Sequence, residues 1–376
     1  MENIKNMKKL GFGLMRLPLL NYEDKGSIDV EKVKQMVDTF MEAGFTYFDT
    51  AYPYHNGMSE RVFKETVSMR YPRESFTVTD KMPMFFRPES WQKMQEIFDE
   101  QLDRCGVEYF DYYLLHALGK ETFDYSEKVD AFGFIKKMKE EGKIKHLGFS
   151  FHDSAIVLEE ILSKHPEIEY VQLQINYLDW DSKNVQGREC YELCVKYGKP
   201  VIVMEPIKGG SLAQVPEEAD KLFKEANENA SVASWAVRYA ASLDNVAMVL
   251  SGMSDMEQLL DNISYMKEFK TLNDSEYQII NKVLDIIRNT IAIPCTKCNY
   301  CTEGCPMNIA IPDVFAVYNN LKKFPATKQG LTEQYVGITE QHSKASECVQ
   351  CKQCEEHCPQ HIEITNWLGE IAKTFE

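Results

Sequence analysis

The chain has 376 residues, room for two or three domains. With 44% hydrophobic and 27% charged residues it has the balance of a chain with a packed core, which excludes a disordered or fibrous protein. The 58 acidic residues against 42 basic ones leave a net charge of −16, which argues against nucleic acid or an anionic membrane as the main partner, since both demand a basic face. No run of about 18 apolar residues is present, and Met1 to Leu10 is rich in Lys and Asn, so neither a membrane span nor an export signal is expected and a cytoplasmic location is the expectation.

From residue 29 to about 268 short apolar runs alternate with helix-length amphipathic stretches. Strands are expected at Thr46–Ala51, Phe76–Lys81, Phe110–Ala117, Ile144–Ser150, Tyr170–Asn176, Pro200–Pro206 and Val246–Gly252, each rich in β-branched and aromatic residues. Helical periods lie between them: Val30–Ala43, Ser59–Met69, Pro88–Cys105, Lys128–Glu141, Ser154–His165, Asn184–Tyr197, Ala230–Ser242 and Asp255–Lys267. Gly44 and Gly142 stand just past helix ends, and Asp153-Ser154 suits an N-cap. With Lys9–Leu17 as a first strand there are eight βα units, and helical crossovers imply a parallel sheet. Eight such units close as an α/β (β/α)8 TIM barrel. The alternative is an open doubly wound sheet, weakened because Gly11-Phe12-Gly13 is only a fragment of a dinucleotide fingerprint. One more helix is expected over 274–290, capped by Asp274; Ile293-Pro294 then breaks the pattern and cysteine takes over. The expected domains are 1–290 and 291–376, with no low-complexity linker.

Eight of the 11 cysteines lie between Cys295 and Cys358. An odd total at tight spacing argues against a disulfide framework. Cys295, Cys298, Cys301 and Cys305-Pro306 give C-x2-C-x2-C-x3-C-P, and Cys348, Cys351, Cys354 and Cys358-Pro359 repeat it residue for residue. Three thiolates at steps of three wrap three corners of a cubane, while the fourth cysteine serves the neighbouring cluster. The first cluster therefore takes Cys295, Cys298, Cys301 and Cys358, and the second takes Cys348, Cys351, Cys354 and Cys305. The competing reading is structural zinc, but a tetrahedral site needs only four thiolates and leaves the third step and the Cys-Pro surplus. The pattern resembles the bacterial two-cluster ferredoxin family, which implies two [4Fe-4S] clusters and one-electron transfer. Cys105, Cys190 and Cys194 read as buried, inert thiols.

In a barrel enzyme the chemistry sits at the C-terminal ends of the strands. Asp49 ends the second strand with Tyr54 shortly after it, Lys81 ends the third and His116 the fourth. Together they suit carbonyl reduction. Hydride arriving at a carbonyl carbon leaves an alkoxide in need of a proton and of electrostatic help. A phenol is a poor acid at neutral pH, and a neighbouring ammonium is expected to lower its pKa. Lys81 takes that part toward Tyr54, Asp49 holds Lys81, and His116 donates a hydrogen bond to the carbonyl oxygen. Taken singly, these residues read as a buried ion pair and a satisfied core histidine; only the joint pattern lifts the functional reading.

Asp49, Tyr54, Lys81 and His116 match the tetrad of the aldo-keto reductases in order and context, and GFSFHD, VQLQINY, MEPIKGGSL and VLSGMSDMEQLLDNI resemble later blocks of that family. The resemblance covers about residues 8–268. It implies a (β/α)8 barrel and an NAD(P)H-linked oxidoreductase that reduces aldehydes or ketones without flavin. It further implies that Ser150 and Gln172 hold the nicotinamide carboxamide, with Met204 where many members stack a tyrosine on the ring. Ile207, Lys208, Gly209, Gly210 and Leu212 would wrap the pyrophosphate, and Ser254, Gln258 and Asn262 would meet the adenosine end. Gly252 and Gln258 stand where NADPH-preferring members carry Lys or Arg, with Lys208 a partial substitute.

A nicotinamide moves two electrons and a [4Fe-4S] cluster one. A flavin is the usual splitter, and no flavin motif is present. Three readings follow: an NAD(P)H-dependent oxidoreductase whose clusters exchange electrons with a partner protein or second site; a ferredoxin-fed reductase passing cluster electrons to a substrate or bound flavin; and an electron-transfer or redox-sensing module. The substrate is expected to be a small carbonyl compound, framed by Pro83–Arg87, Leu118–Tyr125 and Tyr177–Asp181, where Phe85, Phe86 and Trp180 supply apolar surface.

Overall fold

Eight short strands, β1 (Leu10–Gly13), β2 (Tyr47–Asp49), β3 (Thr77–Met82), β4 (Phe110–Leu118), β5 (Ile144–Phe151), β6 (Tyr170–Gln174), β7 (Val201–Met204) and β8 (Val246–Gly252), pair in sequence order and close on themselves. Every pairing is parallel, and β8 returns to β1 with Leu10 beside Val249 and Gly13 beside Gly252. The barrel is that expected from the eight βα units, and the open sheet is excluded. The computed structural model describes residue 4 and residues 7–290, 292–323 and 328–376.

The strands alternate faces, so one set of side chains fills the barrel. Tyr47, Tyr112, Leu114, Tyr170, Ile202, Met248 and Leu250 pack there with Ile4. Helices cover the outside, and several ends carry the signals read from sequence: Gly44 and Gly142 take positive φ just past their helices. Elsewhere the caps differ. The helix of Trp91–Cys105 starts after Ser90, whose hydroxyl accepts the Lys93 N–H, three residues beyond Pro88. The expected helix Lys128–Glu141 runs only over Ala131–Glu140, after left-handed Asp130, and Lys120–Lys128, expected as loop, forms a helix of its own. Ser154 makes no side-chain cap; Gln186 Oε1 accepts the Ala155 N–H from across the chain instead. Asn273, and not Asp274, caps the helix of Asp274–Thr290 by accepting the N–H of Ser275 and of Glu276, while Glu276 returns the bond to the Asn273 N–H.

The chain forms two compact units. One holds Met1–Ser182, Gln186–Pro206 and Ala236–Leu272 and contains the barrel; the other holds Lys183–Val185, Ile207–Trp235 and Asn273–Glu376. The segment after β7, including a helix at Glu217–Ala226 that the sequence pattern did not signal, thus groups with the cysteine-rich region. That region is helical, with longer helices at Ile311–Lys323, Lys328–Thr339 and Ile364–Phe375 and a single turn of helix at Tyr300–Glu303 and at Gln353–Glu356. Its core unites Ile309, Ile311, Val314 and Phe315 with Ile362, Ile364, Leu368 and Ile371. The repeat read in the cysteines runs through the backbone as well: Lys297, Asn299 and Asn308 are left-handed, and so are Gln350, Lys352 and His361, 53 residues later.

Candidate active site and cluster-binding cysteines

The tetrad converges. Asp49 at the end of β2 and Lys81 near the end of β3 are both buried, with Lys81 Nζ 2.5 Å from Asp49 Oδ1 and 2.6 Å from the Thr50 carbonyl. The same ammonium stands 3.4 Å from the Tyr54 hydroxyl and 4.8 Å from its ring centre. Tyr54 sits on a 3-10 turn, Tyr54–Gly57, entered by a hydrogen bond from the Tyr54 N–H to the Ala51 carbonyl. His55 fixes that turn: its Nε2 accepts the Leu17 N–H at 3.1 Å and its Nδ1 lies 2.8 Å from the Lys25 carbonyl. The His116 ring meets the Tyr54 ring edge-on at 6.0 Å.

The electrostatics depart from expectation at one point. Burial pushes the Tyr54 phenol well above its ordinary value, and the carboxylates of Asp49, Glu205 and Asp80 add to this, with Arg16 pulling the other way. The expected acidification by Lys81 is not realised: burial outweighs it, and the negative charges of Asp49, Glu205 and Asp80 work the same way. Asp49 is itself pushed up by burial against the pull of Lys81 and Gln172. His116 is driven well below its ordinary value by burial and by the charges of Lys81 and His152, so the ring is neutral at neutral pH. Its Nδ1 is buried without a hydrogen-bond partner, an orphaned atom of the kind that marks a ligand position.

Ser150 on β5 and Gln172 on β6 are buried neighbours in register. The Ser150 oxygen accepts the Ala117 N–H at 2.8 Å, and Gln172 Nε2 donates to Asp49 Oδ2 at 3.0 Å. Each retains a group suited to a carboxamide: the Ser150 hydroxyl hydrogen and Gln172 Oε1. Met204 ends β7, half-buried. The residues assigned to the adenosine end are spent within the fold. Asn262 bonds Ser251 Oγ and accepts from the Tyr265 hydroxyl, Gln258 closes on Asp255 and the Ser254 N–H, and Ser254 Oγ donates to the Arg16 carbonyl. Nor does Lys208 offer its ammonium to a phosphate at the surface: it is buried and bonds Gln360 Oε1, within the unit that holds the cysteines.

Two groups escaped the sequence reading. Arg16, just after β1, stands 3.9 Å from Glu205, whose backbone is left-handed at φ 55°. Outward-facing Asp80, beside inward-facing Lys81, anchors a buried polar set in which Gln101 bonds both Glu60 and the Lys81 carbonyl. Period-two alternation hid the second: Asp80 reads as the solvent face of a strand that the helices in fact cover.

The cysteines fall into the two crossed sets. Cys295, Cys298, Cys301 and Cys358 line one pocket, and Cys305, Cys348, Cys351 and Cys354 line another. Thiolates on a single zinc stand about 3.8 Å apart, and among the described residues no three ligating side chains close to the spacing of one ion. Two sets of four thiols, none of them close enough together to share one ion, fit cubanes better than zinc. Burial pushes Cys295 up to about 11 and Cys354 to about 12. Cys190, buried and pushed up to about 12, and buried Cys105 and Cys194 are inert as read.

Closed barrel and strand-end tetrad together define an oxidoreductase of the (β/α)8 class. The chain belongs to the aldo/keto reductase family, whose profile matches residues 9–285, and a 4Fe-4S dicluster domain matches residues 294–363. Over 219 residues it is 26% identical to the 9,11-endoperoxide prostaglandin H2 reductase of Trypanosoma cruzi, covering 57% of this chain and 67% of that protein. It is 22% identical over 296 residues to the NADH-specific methylglyoxal reductase of Escherichia coli, covering 67% and 88%. A holo-form aldo-keto reductase from Bacillus halodurans superposes with a TM-score of 0.59 at 25% identity, covering 73% of this chain and 91% of that one. No helix among the described residues is long and apolar enough to cross a membrane.

Proposed function

We propose that the barrel reduces the carbonyl group of a small molecule at the expense of NAD(P)H, with Tyr54 as proton donor, and that the two [4Fe-4S] clusters exchange single electrons with a protein partner in the cytoplasm. One observation carries the reading: Lys81 Nζ lies between Asp49 and the Tyr54 hydroxyl, beside a neutral His116 with an orphaned nitrogen. The nicotinamide, when bound, supplies hydride. Ser150 and Gln172 would orient its carboxamide.

The chain's own groups do the rest. Tyr54, protonated at neutral pH, gives its proton to the carbonyl oxygen as charge develops there. The Lys81–Asp49 pair holds a positive charge 3.4 Å from the phenolate left behind. Breaking such a buried pair on one side costs about 3–5 kcal/mol, so it is also a structural anchor. Phe85 packs on His116 at 5.3 Å and on Phe86 at 4.8 Å, an apolar wall that favours a substrate with an apolar body. We place the domain boundary near residue 290, between the two family matches.

The test is Tyr54→Phe. Carbonyl reduction by the cluster-loaded protein should fall by about 10²–10⁴-fold in kcat with nicotinamide binding kept; full activity removes Tyr54 from its role.

A further inference from the structure

The two cysteine repeats agree residue for residue in cysteines and in left-handed backbone, but most of the residues between the cysteines differ, and two of those differences bear on the first cluster. Cys358-Pro359 is followed by Gln360, where Cys305-Pro306 is followed by Met307; Cys295 is followed by Thr296, where Cys348 is followed by Val349. Both departures in the first cluster's surroundings meet the segment after β7. Gln360 is 3% exposed and accepts a hydrogen bond from Lys208 Nζ, itself 1% exposed. Thr296 is buried under Gly209, where a Cβ would stand 2.2 Å from the Thr296 carbonyl oxygen. Gly209 is left-handed at φ 63°, so glycine is demanded there twice over. At the second cluster Val349 is 59% exposed and Cys351 is exposed. Its neighbouring cation, Lys352, is 66% exposed at the side chain and 3.9 Å from Glu355.

We propose that Lys208 is a tuning residue for the first cluster: its buried ammonium, held through Gln360 against the Cys358 turn, makes the cluster on Cys295, Cys298, Cys301 and Cys358 easier to reduce than its twin. Reduction adds one negative charge to a cluster, and a cation in a low-dielectric surrounding offsets that charge far more than a solvated one. Lys208 is buried and bonded to Gln360, two residues beyond Cys358, whereas Lys352 is screened by water and by Glu355. Electrons therefore enter at the exposed second cluster, and one electron at a time passes from its reduced form to the oxidised first cluster. No bond is made or broken in that step.

The inference rests on the cluster assignment, and one experiment separates the two. The full chain, loaded anaerobically, is titrated potentiometrically and followed by EPR, with Cys295→Ser and Cys348→Ser marking which signal belongs to which cluster. The wild type should show two midpoints, the first cluster's the higher. In Lys208→Met the first midpoint alone should drop, so that the equilibrium constant for passing an electron from second to first cluster falls about tenfold, about 59 mV. Lys208→Arg should retain the wild-type value, Gln360→Met should lower it by less, and Lys352→Met should leave it in place. Unchanged midpoints in Lys208→Met, or equal drops in both, overturn the tuning role. Should Lys208→Met fail to hold a cluster, Gln360→Met decides, and an unshifted first midpoint there overturns it equally. A wild type without two cluster signals sinks the cluster assignment itself.

Discussion

The barrel mouth and the cysteine unit handle charge in opposite ways. In the mouth the charged side chains partner one another before any ligand arrives, Lys81 with Asp49 and Arg16 with Glu205, while Gln172 adds a hydrogen bond to Asp49. In the cysteine unit burial and neighbouring thiols push Cys295 and Cys354 upward, to about 11 and about 12, and a metal would bring out their charged form. The barrel is thus pre-organised, whereas a metal-bound cysteine unit should draw folding energy from its clusters. The helices around the cysteines share a modest apolar core that includes Cys301, Cys354 and Cys358 themselves.

The largest expected effect breaks that comparison most sharply. Iron removal by a chelator should unfold the cysteine unit while the barrel keeps its cooperative thermal transition, read by calorimetry; loss of both transitions together would mean that the barrel is no more self-sufficient than its neighbour. Next comes Tyr54→Phe, with its loss of about 10²–10⁴ in kcat and both clusters intact by EPR. Gly209→Ala should follow, since a Cβ has no room against Thr296; the first cluster's EPR signal should be perturbed and the second's left alone.

The smallest effect is one of pH. Unfolded, His116 takes up a proton below about 6.5, whereas folded it stays neutral. Below that pH the unfolded state binds more protons, so stability falls as pH drops, with a slope of at most about 1.4 kcal/mol per unit. His116→Gln should flatten that part of a denaturant-melt profile, and an unaltered slope would place a charged imidazole in the mouth. Glu169 works in a lower window: held to about 2 by His146, Lys139 and the Leu147 N–H against burial, it lends stability that is present above its unfolded value near 4.5 and lost as pH falls toward 2.

Both regions were legible in the sequence to different depths. The cysteine sets were plain because their spacing is local, and a step of three residues survives any uncertainty about the fold. The tetrad was legible only jointly, since Asp49, Lys81 and His116 come together by strand pairing across the barrel. What stayed hidden depends on partners far away in sequence. Lys208 reads as a phosphate-loop cation until Gln360, 152 residues later, is seen to hold it. Gln258 and Asn262 read as ligand groups, yet Asp255, Ser251 and Tyr265 consume their amides. The helix at Glu217–Ala226 buries only Ala219 and Phe223, too thin an apolar face to register among its charges.

The most direct test of the account is anaerobic mixing of the cluster-loaded chain with NADH or NADPH and methylglyoxal as a carbonyl probe, following nicotinamide absorbance and EPR together. The account predicts one nicotinamide oxidised per alcohol formed, at a rate cut about 10²–10⁴-fold by Tyr54→Phe, in a protein whose EPR shows two reducible cubanes. A loaded protein that neither binds nor oxidises nicotinamide would contradict it.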